Sequence, residues 1–160
     1  MPELDRIIDQ LQRAFDGDAW HGPSVIKALA GVTTQQAVAH PIPQAHSIWQ
    51  IVLHLISWKN EVRRRLSGAE PATPVEGDWP EAGRRDPAAW SAAIATLRDS
   101  HLALVAAARK LTDERLGEMV GTKRDPALGT GTYYVLLHGS VQHDVYHAGQ
   151  IAVLRKARGR

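Results

Sequence analysis

Two histidines in the C-terminal part of the chain have the spacing of a metal-binding pair. His143 and His147 are four residues apart, so a helix places both imidazoles on one face. At about 100° per residue, the same face also carries Leu136, Ser140, Gln150 and Leu154. Because these are mostly residue types that face inward, we expect the two histidines to point into the protein, where neutral imidazoles can bind a divalent metal ion.

His54 is the candidate for a third ligand. It lies midway along another predicted helix, at the edge of the apolar face and beside Ile51 and Trp58. A single buried histidine is usually a hydrogen-bonded core residue, but three buried imidazoles without partners are costly, and a divalent metal removes that cost. Three protein ligands leave positions open for water or substrate, as in a catalytic site. Such ligands suit zinc, nickel or iron, and copper is compatible as well.

Four further residues are candidates for the pocket around these ligands: His21, Trp58, Glu61 and Gln150. Gln150 shares the face of His147 one turn later, and Glu61 lies two turns beyond His54. For Trp58 the alternative is core packing, and for His21 it is a structural hydrogen bond. Glu61 and His21 are also the candidates for a general base.

The remaining histidines and Asp144 are assigned to other positions. His138 lies about 140° around the helix from His143, so we expect it outside the group of metal ligands. His40 and His46 lie in or beside a proline-rich connector and are expected to be exposed or capping, and His101 is expected on a helix surface. Asp144 is expected to be a surface carboxylate, the alternative being an acceptor that orients a neighbouring histidine.

Four long helices are predicted to position these residues, over residues 2–16, 48–66, 87–110 and 132–156. The first has a single apolar stripe formed by Leu4, Ile7, Ile8, Leu11 and Phe15. Ser47 and Gln50 form a capping box before the second. Asp86 is the N-cap of the third, with Pro87 at its first position. The last helix is apolar nearly all round and is expected to be the most buried.

Short helical segments are predicted at 25–29 and 112–118, with loops at 67–85 and 121–131. The first loop is long for a compact domain, a feature often associated with function. No stretch alternates with a period of two, and no internal repeat is found. The sequence therefore predicts an all-α four-helix bundle forming a single domain over residues 1–160.

The composition excludes several classes of protein. The chain has 160 residues, with 19 Lys and Arg against 17 Asp and Glu, a formal charge of +2, and no cysteine. It therefore has no disulfide, cysteine nucleophile or thiolate metal site. No apolar run approaches a membrane span, and the first residues do not resemble a signal peptide, so we expect a cytoplasmic protein. Arg63–Arg65 and a basic tail are too little to predict nucleic-acid binding.

Three segments resemble the DinB-like family, the small metal-binding bundles also called DinB/YfiT-like, whose relatives include bacillithiol transferases. They are Ala19-Trp20-His21-Gly22-Pro23-Ser24, the stretch from His46 to Lys59, and the stretch from Gln142 to Ile151. The resemblance implies that His54, His143 and His147 form the metal triad.

The resemblance also implies an activity and partners. The implied reaction is transfer of a low-molecular-weight thiol of the bacillithiol or mycothiol type, or metal-dependent hydrolysis, on a small-molecule substrate. A homodimer is implied as well. The alternative is a non-catalytic, metal-containing or ligand-sensing bundle linked to stress.

Overall fold

The structure, a computed structural model, describes residues 1–157, so residues 158–160 of the basic tail lie outside the described residues. Over 1–157 the chain is helical and contains no β-strand. The α-helices are α1 (Glu3–Phe15), α2 (Val25–Leu29), α3 (Thr34–Val38), α4 (Ile48–Leu66), α5 (Pro87–Ala108) and α6 (Tyr133–Lys156). Two 3₁₀ helices span Asp113–Gly117 and Pro126–Leu128. The predicted all-α class is confirmed.

The helix starts follow from local capping. Before α4, the Ser47 hydroxyl accepts a hydrogen bond from the Gln50 backbone N–H, and the Gln50 side chain accepts one from the Ser47 N–H. The Asp86 carboxylate caps α5 at the Ala89 N–H, with Pro87 at the first position. Thr33 forms a second capping box that starts α3, a helix that the sequence analysis did not predict.

The four long helices form a closed bundle. In space, α1 packs against α6, α6 against α4, α4 against α5, and α5 returns to α1. The short helices α2 and α3 pack on α6 and α4. Every residue of the stripe predicted for α1 is buried, which confirms its orientation toward the core. Among the described residues, no helix is both long enough and apolar enough to cross a membrane.

The core consists of two apolar clusters separated by buried polar residues. One cluster includes Phe15, the first half of α4 and the second half of α6. The other includes the rest of α1, the second half of α4 and the start of α6. Between them lies a polar layer, which we define as Ser57, Lys59, Glu61, Ser100, His101, Ser140, Asp144 and His147. The functional side chains therefore lie at mid-height in the bundle.

The prediction that α6 is the most buried helix is wrong. Twelve of the 19 residues of α4 are buried, against eight of the 24 residues of α6. The reason is that α6, although it packs against α1, α2 and α4, leaves one face open along its length. Val135, Tyr146 and Val153 lie on that open face, although their side chains are apolar.

Candidate metal centre

The structure brings together the three histidines selected from the sequence. His54 projects from α4, and His143 and His147 project from α6. The Nε2 atom of His143 lies 2.9 Å from Nε2 of His54 and 3.0 Å from Nε2 of His147. One ligand atom from each residue lies within 4.8 Å of the others. His54 and His147 are buried and His143 is half-buried, so the cluster lies inside the bundle, where His147 is part of the polar layer.

Hydrogen bonds on the outer ring nitrogens determine which tautomers are present. The Nδ1–H of His54 donates to the backbone carbonyl of Asp78 at 2.6 Å. The Nδ1–H of His147 donates to Oε1 of Gln150, also at 2.6 Å. In a neutral imidazole the other nitrogen then carries a lone pair. The inward Nε2 atoms of His54 and His147 are therefore acceptors, which is the form in which histidine binds metals.

The surroundings of the three histidines disfavour protonation of their rings. Burial, together with the neighbouring imidazoles, lowers the pKa of His143 to about 3 and that of His147 to about 4. Burial also lowers the pKa of His54, against the raising effect of its hydrogen bond to Asp78. All three rings are thus neutral near pH 7, the form that a metal ion requires.

These residues fit a divalent metal ion. A neutral His143 has at most one hydrogen on Nε2, so at least one of the two short N···N contacts brings lone pair against lone pair. A cation between the rings removes that repulsion. Two nitrogens that each lie about 2.1 Å from one ion can be no more than about 4.2 Å apart, and both contacts are within that distance. The donor set therefore suits a metal ion better than a hydrogen-bonded core.

The loop predicted at 67–85 covers the histidines through Trp79, a residue that was not among the predicted site residues. The ring of Trp79 stacks on His54 with 3.9 Å between ring centroids, and His46 stacks on Trp79 at 3.5 Å. Both imidazoles are nearly parallel to the indole, so they lie on its opposite faces. The Asp78 carboxylate accepts a hydrogen bond from Nε1 of Trp58, and the Ser57 hydroxyl donates to the Gly77 carbonyl. The sequence feature that could have indicated Trp79 as a site residue is a tryptophan within a long polar loop.

A cavity of about 510 Å³ opens beside His54 and His143, within the size range of small-molecule sites. One side consists of α4 residues, and the opposite side consists of the start of α6 and residues 126–130. Its polar groups include Lys59, Arg65 and Asp78. The Arg65 guanidinium donates to the carbonyls of Leu128 and Ala72, so it attaches both predicted loops to α4.

The other predicted pocket residues occupy different positions. Trp58 lines the cavity, whereas Gln150 does not line it and instead accepts a hydrogen bond from His147. Glu61 is buried outside the cavity lining, where its carboxylate accepts hydrogen bonds from Arg64, Arg65 and the Ala72 N–H. His21 is exposed in the turn after α1, near Val141 and Val145, and is not part of the histidine group.

Two residues expected at the surface are buried instead. Asp144 is 0% exposed, and its two carboxylate oxygens each accept a hydrogen bond from Nζ of Lys59 at 2.7 Å. His101 is 4% exposed and stacks on Phe15 with 3.8 Å between centroids. Burial and the nearby Lys59 ammonium lower the pKa of His101 to about 3. Both surface predictions are wrong, because Lys59 of α4 and Phe15 of α1 supply partners that the pattern within a single helix does not indicate.

Together these features define a class of protein: a small helical bundle with three converging histidines between two of its long helices. A family model described as the DinB superfamily matches residues 20–151. The chain therefore belongs to the DinB superfamily, as the resemblance predicted. Comparisons with curated proteins and with solved structures give no significant match.

Proposed function

We propose that this chain is a metal-dependent enzyme that transfers a low-molecular-weight thiol to an electrophilic small molecule. The observation that carries the proposal is the convergence of three neutral imidazoles, each with Nε2 directed at the others. His54, His143 and His147 would hold the metal. A divalent metal held by neutral ligands lowers the pKa of a thiol or water bound to it and so supplies a nucleophile near pH 7.

The surrounding acids favour thiol transfer over the alternative, hydrolysis. A hydrolytic water is commonly assisted by a free carboxylate acting as general base. Glu61 is ion-paired with arginines and Asp144 with Lys59, and the Asp78 carboxylate accepts a hydrogen bond from the indole N–H of Trp58 through Oδ1. A thiol has an ordinary pKa of about 8.5, far below that of water, so a much smaller lowering deprotonates it near pH 7 without such a base. Hydrolysis is the second candidate reaction, and assays with and without a thiol distinguish it from thiol transfer.

Other residues of the chain hold the histidines and shape their surroundings. The Asp78 carbonyl and the Gln150 side chain fix the orientation of the rings of His54 and His147. The indole of Trp79 covers one face of His54 and shields it from water. The cavity beside His54 and His143 is where the electrophile would bind.

We also propose a homodimer, as expected for this family. The support within the chain is the alanine-rich α5, which allows close helix approach and carries the exposed Leu102. Light scattering combined with size-exclusion chromatography tests this: a mass of about twice 17.5 kDa is expected, and a monomer at all concentrations would contradict it.

The experiment that tests the activity begins with metal content. Untagged wild-type protein, His143→Ala and His138→Ala are analysed by elemental mass spectrometry. His138 lies on the same helix but outside the histidine group, so it controls for loss of a histidine as such. About one equivalent is expected in wild type and His138→Ala, and none in His143→Ala. Little metal in all three samples, with no uptake of added zinc or nickel, would contradict the proposal.

Metal-loaded protein is then assayed with bacillithiol and mycothiol against a chlorinated aromatic electrophile, and separately with ester substrates. Thiol-dependent turnover that is lost in His143→Ala supports the transferase. Turnover of esters without thiol identifies a hydrolase. Metal binding without turnover on either panel favours a non-catalytic ligand-sensing bundle.

A further inference from the structure

A second cavity, of about 500 Å³, lies on the other side of the histidine group along α6. It is formed by the connector between α3 and α4, by α4, and by the C-terminal half of α6. Its apolar walls are Ile42, Ala45, Ile51, Val153 and Leu154. None of the three histidines lines it, whereas two of them line the first cavity. It is therefore a separate site rather than an extension of the metal centre.

The polar side chains of this second cavity indicate the chemistry of its ligand. They are Gln44, His46 and Gln150, and the described residues that line it include no Asp, Glu, Lys or Arg. A charged group entering an apolar cavity loses its hydration and would find no opposite charge here. A neutral group that accepts or donates hydrogen bonds can pair with the two amides. The lining therefore selects an uncharged molecule with an apolar body.

Two contacts connect this cavity to the histidines. Oε1 of Gln150 accepts from Nδ1–H of His147, and the Gln150 amide NH₂ makes no hydrogen bond within residues 1–157, so it can donate to a ligand. On the opposite side, His46 stacks on Trp79, which stacks on His54. A ligand that reorients Gln150 changes the hydrogen bond that holds the ring of His147.

We propose that the second cavity binds a neutral amphipathic small molecule whose carbonyl accepts a hydrogen bond from Gln150, and that its binding changes the environment of the His147 ring. The proposal does not depend on the reaction proposed above, because the cavity and its contacts are formed by the chain itself.

The test is an NMR titration of full-length, metal-free, ¹⁵N-labelled protein with hexanamide. The backbone signals of Gly149 and Val153 report on the second cavity, and those of Gly129 and Gly139 report on the first. Saturable shifts are expected at Gly149 and Val153, with a Kd on the order of 1 mM for a ligand of this size. Hexanoate and hexylammonium have similar length but carry a charge, and we expect each to bind about tenfold more weakly.

Two variants form a matched pair. Val153 and Val135 both lie on α6 and are 55% and 54% exposed, but Val153 lines the second cavity and Val135 the first. Val153→Trp should weaken hexanamide binding about tenfold by filling the site, and Val135→Trp should leave it unchanged. Circular dichroism checks that both variants are folded.

The outcomes separate the two parts of the proposal. Shifts confined to Gly129 and Gly139, no saturable shift up to about twenty times the expected Kd, or equal binding by Val153→Trp and wild type would each overturn the binding site. The ring ¹⁵N signals of His147 are followed in the same titration and should move with the same Kd. A ring signal that stays fixed while Gly149 shifts would overturn the link to His147.

Discussion

The buried ion pair in the polar layer gives a quantitative prediction. Lys59 and Asp144 are 2% and 0% exposed and share two contacts of 2.7 Å. Lys59→Met keeps the length of the side chain but leaves the Asp144 carboxylate buried without a partner. Removing one member of such a pair costs about 3–5 kcal/mol, a large share of the ~5–15 kcal/mol that stabilises a typical domain. Urea unfolding of metal-free protein at pH 7 measures the loss.

The pH dependence of that loss identifies its cause. Burial already raises the pKa of Asp144 with Lys59 present, and removing the ammonium raises it further. An acid whose pKa is higher in the folded state favours folding at low pH, and this contribution is lost as pH rises toward the folded pKa. The penalty of Lys59→Met should therefore shrink as the pH falls from 7 to 5, by at most about 1.4 kcal/mol for each pH unit, which is the limit for a single proton.

Two further variants make the result decisive. Lys59→Met/Asp144→Leu removes both charges and should return to within about 2 kcal/mol of wild type, because an apolar pair can replace a buried ion pair. Arg98→Met breaks the exposed pair with Asp16, whose N···O distance is 2.9 Å, and should cost at most about 1 kcal/mol. A Lys59→Met loss no larger than that of Arg98→Met, or one independent of pH, would refute the reasoning.

Three other predictions concern the residues around the site. Gln150→Leu removes the acceptor that orients His147 and should weaken zinc binding about 10–100-fold, measured by competition with a chromogenic chelator. Gln142 is exposed on the same helix, and Gln142→Leu should leave zinc binding unchanged. Equal zinc affinities of Gln150→Leu and wild type would contradict the role of Gln150. Trp79→Ala removes a ring stack worth about 0.5–1.5 kcal/mol and should speed zinc loss to the chelator by about 2–10-fold, whereas an unchanged rate would show that the indole does not protect the site. Burial lowers the pKa of His101 to about 3, so this residue should stabilise the fold above about pH 6.5 and lose that contribution as acid protonates the unfolded chain. In urea unfolding, the free energy of unfolding should therefore decline less steeply between pH 7 and 4 for His101→Leu than for wild type. Parallel declines would be contrary to this assignment.

Features encoded within one helix were predicted from the sequence. The stripe on α1, the capping box of Ser47 and Gln50, and the i, i+4 spacing of His143 and His147 depend only on helix periodicity and on neighbouring residues. His54 was selected as a histidine near the apolar face of another helix, and the structure places it within 2.9 Å of His143. Periodicity was sufficient because both helices face the same core.

Features that depend on contacts between distant segments were not predicted. Asp144 is buried because Lys59, 85 residues earlier, supplies its counter-charge, and His101 is buried because Phe15 stacks on it. Trp79 lies in a loop, whose path over the site has no periodic pattern in the sequence. In each case a contact with a distant segment decides where the side chain lies. For Asp144 and His101 that contact outweighs the preference of a polar residue for the surface.

The pairing of buried charges bears directly on the proposed chemistry. Lys59 is neutralised by Asp144, and Arg65 by Glu61, all with side chains no more than 2% exposed. The three histidines are themselves neutral near pH 7. No free carboxylate from these pairs is therefore directed at the point where the Nε2 atoms converge, and the positive charge of a bound metal is not offset by its protein ligands. Such a centre favours an anionic ligand from outside the chain, which is the form in which a thiol acts as a nucleophile.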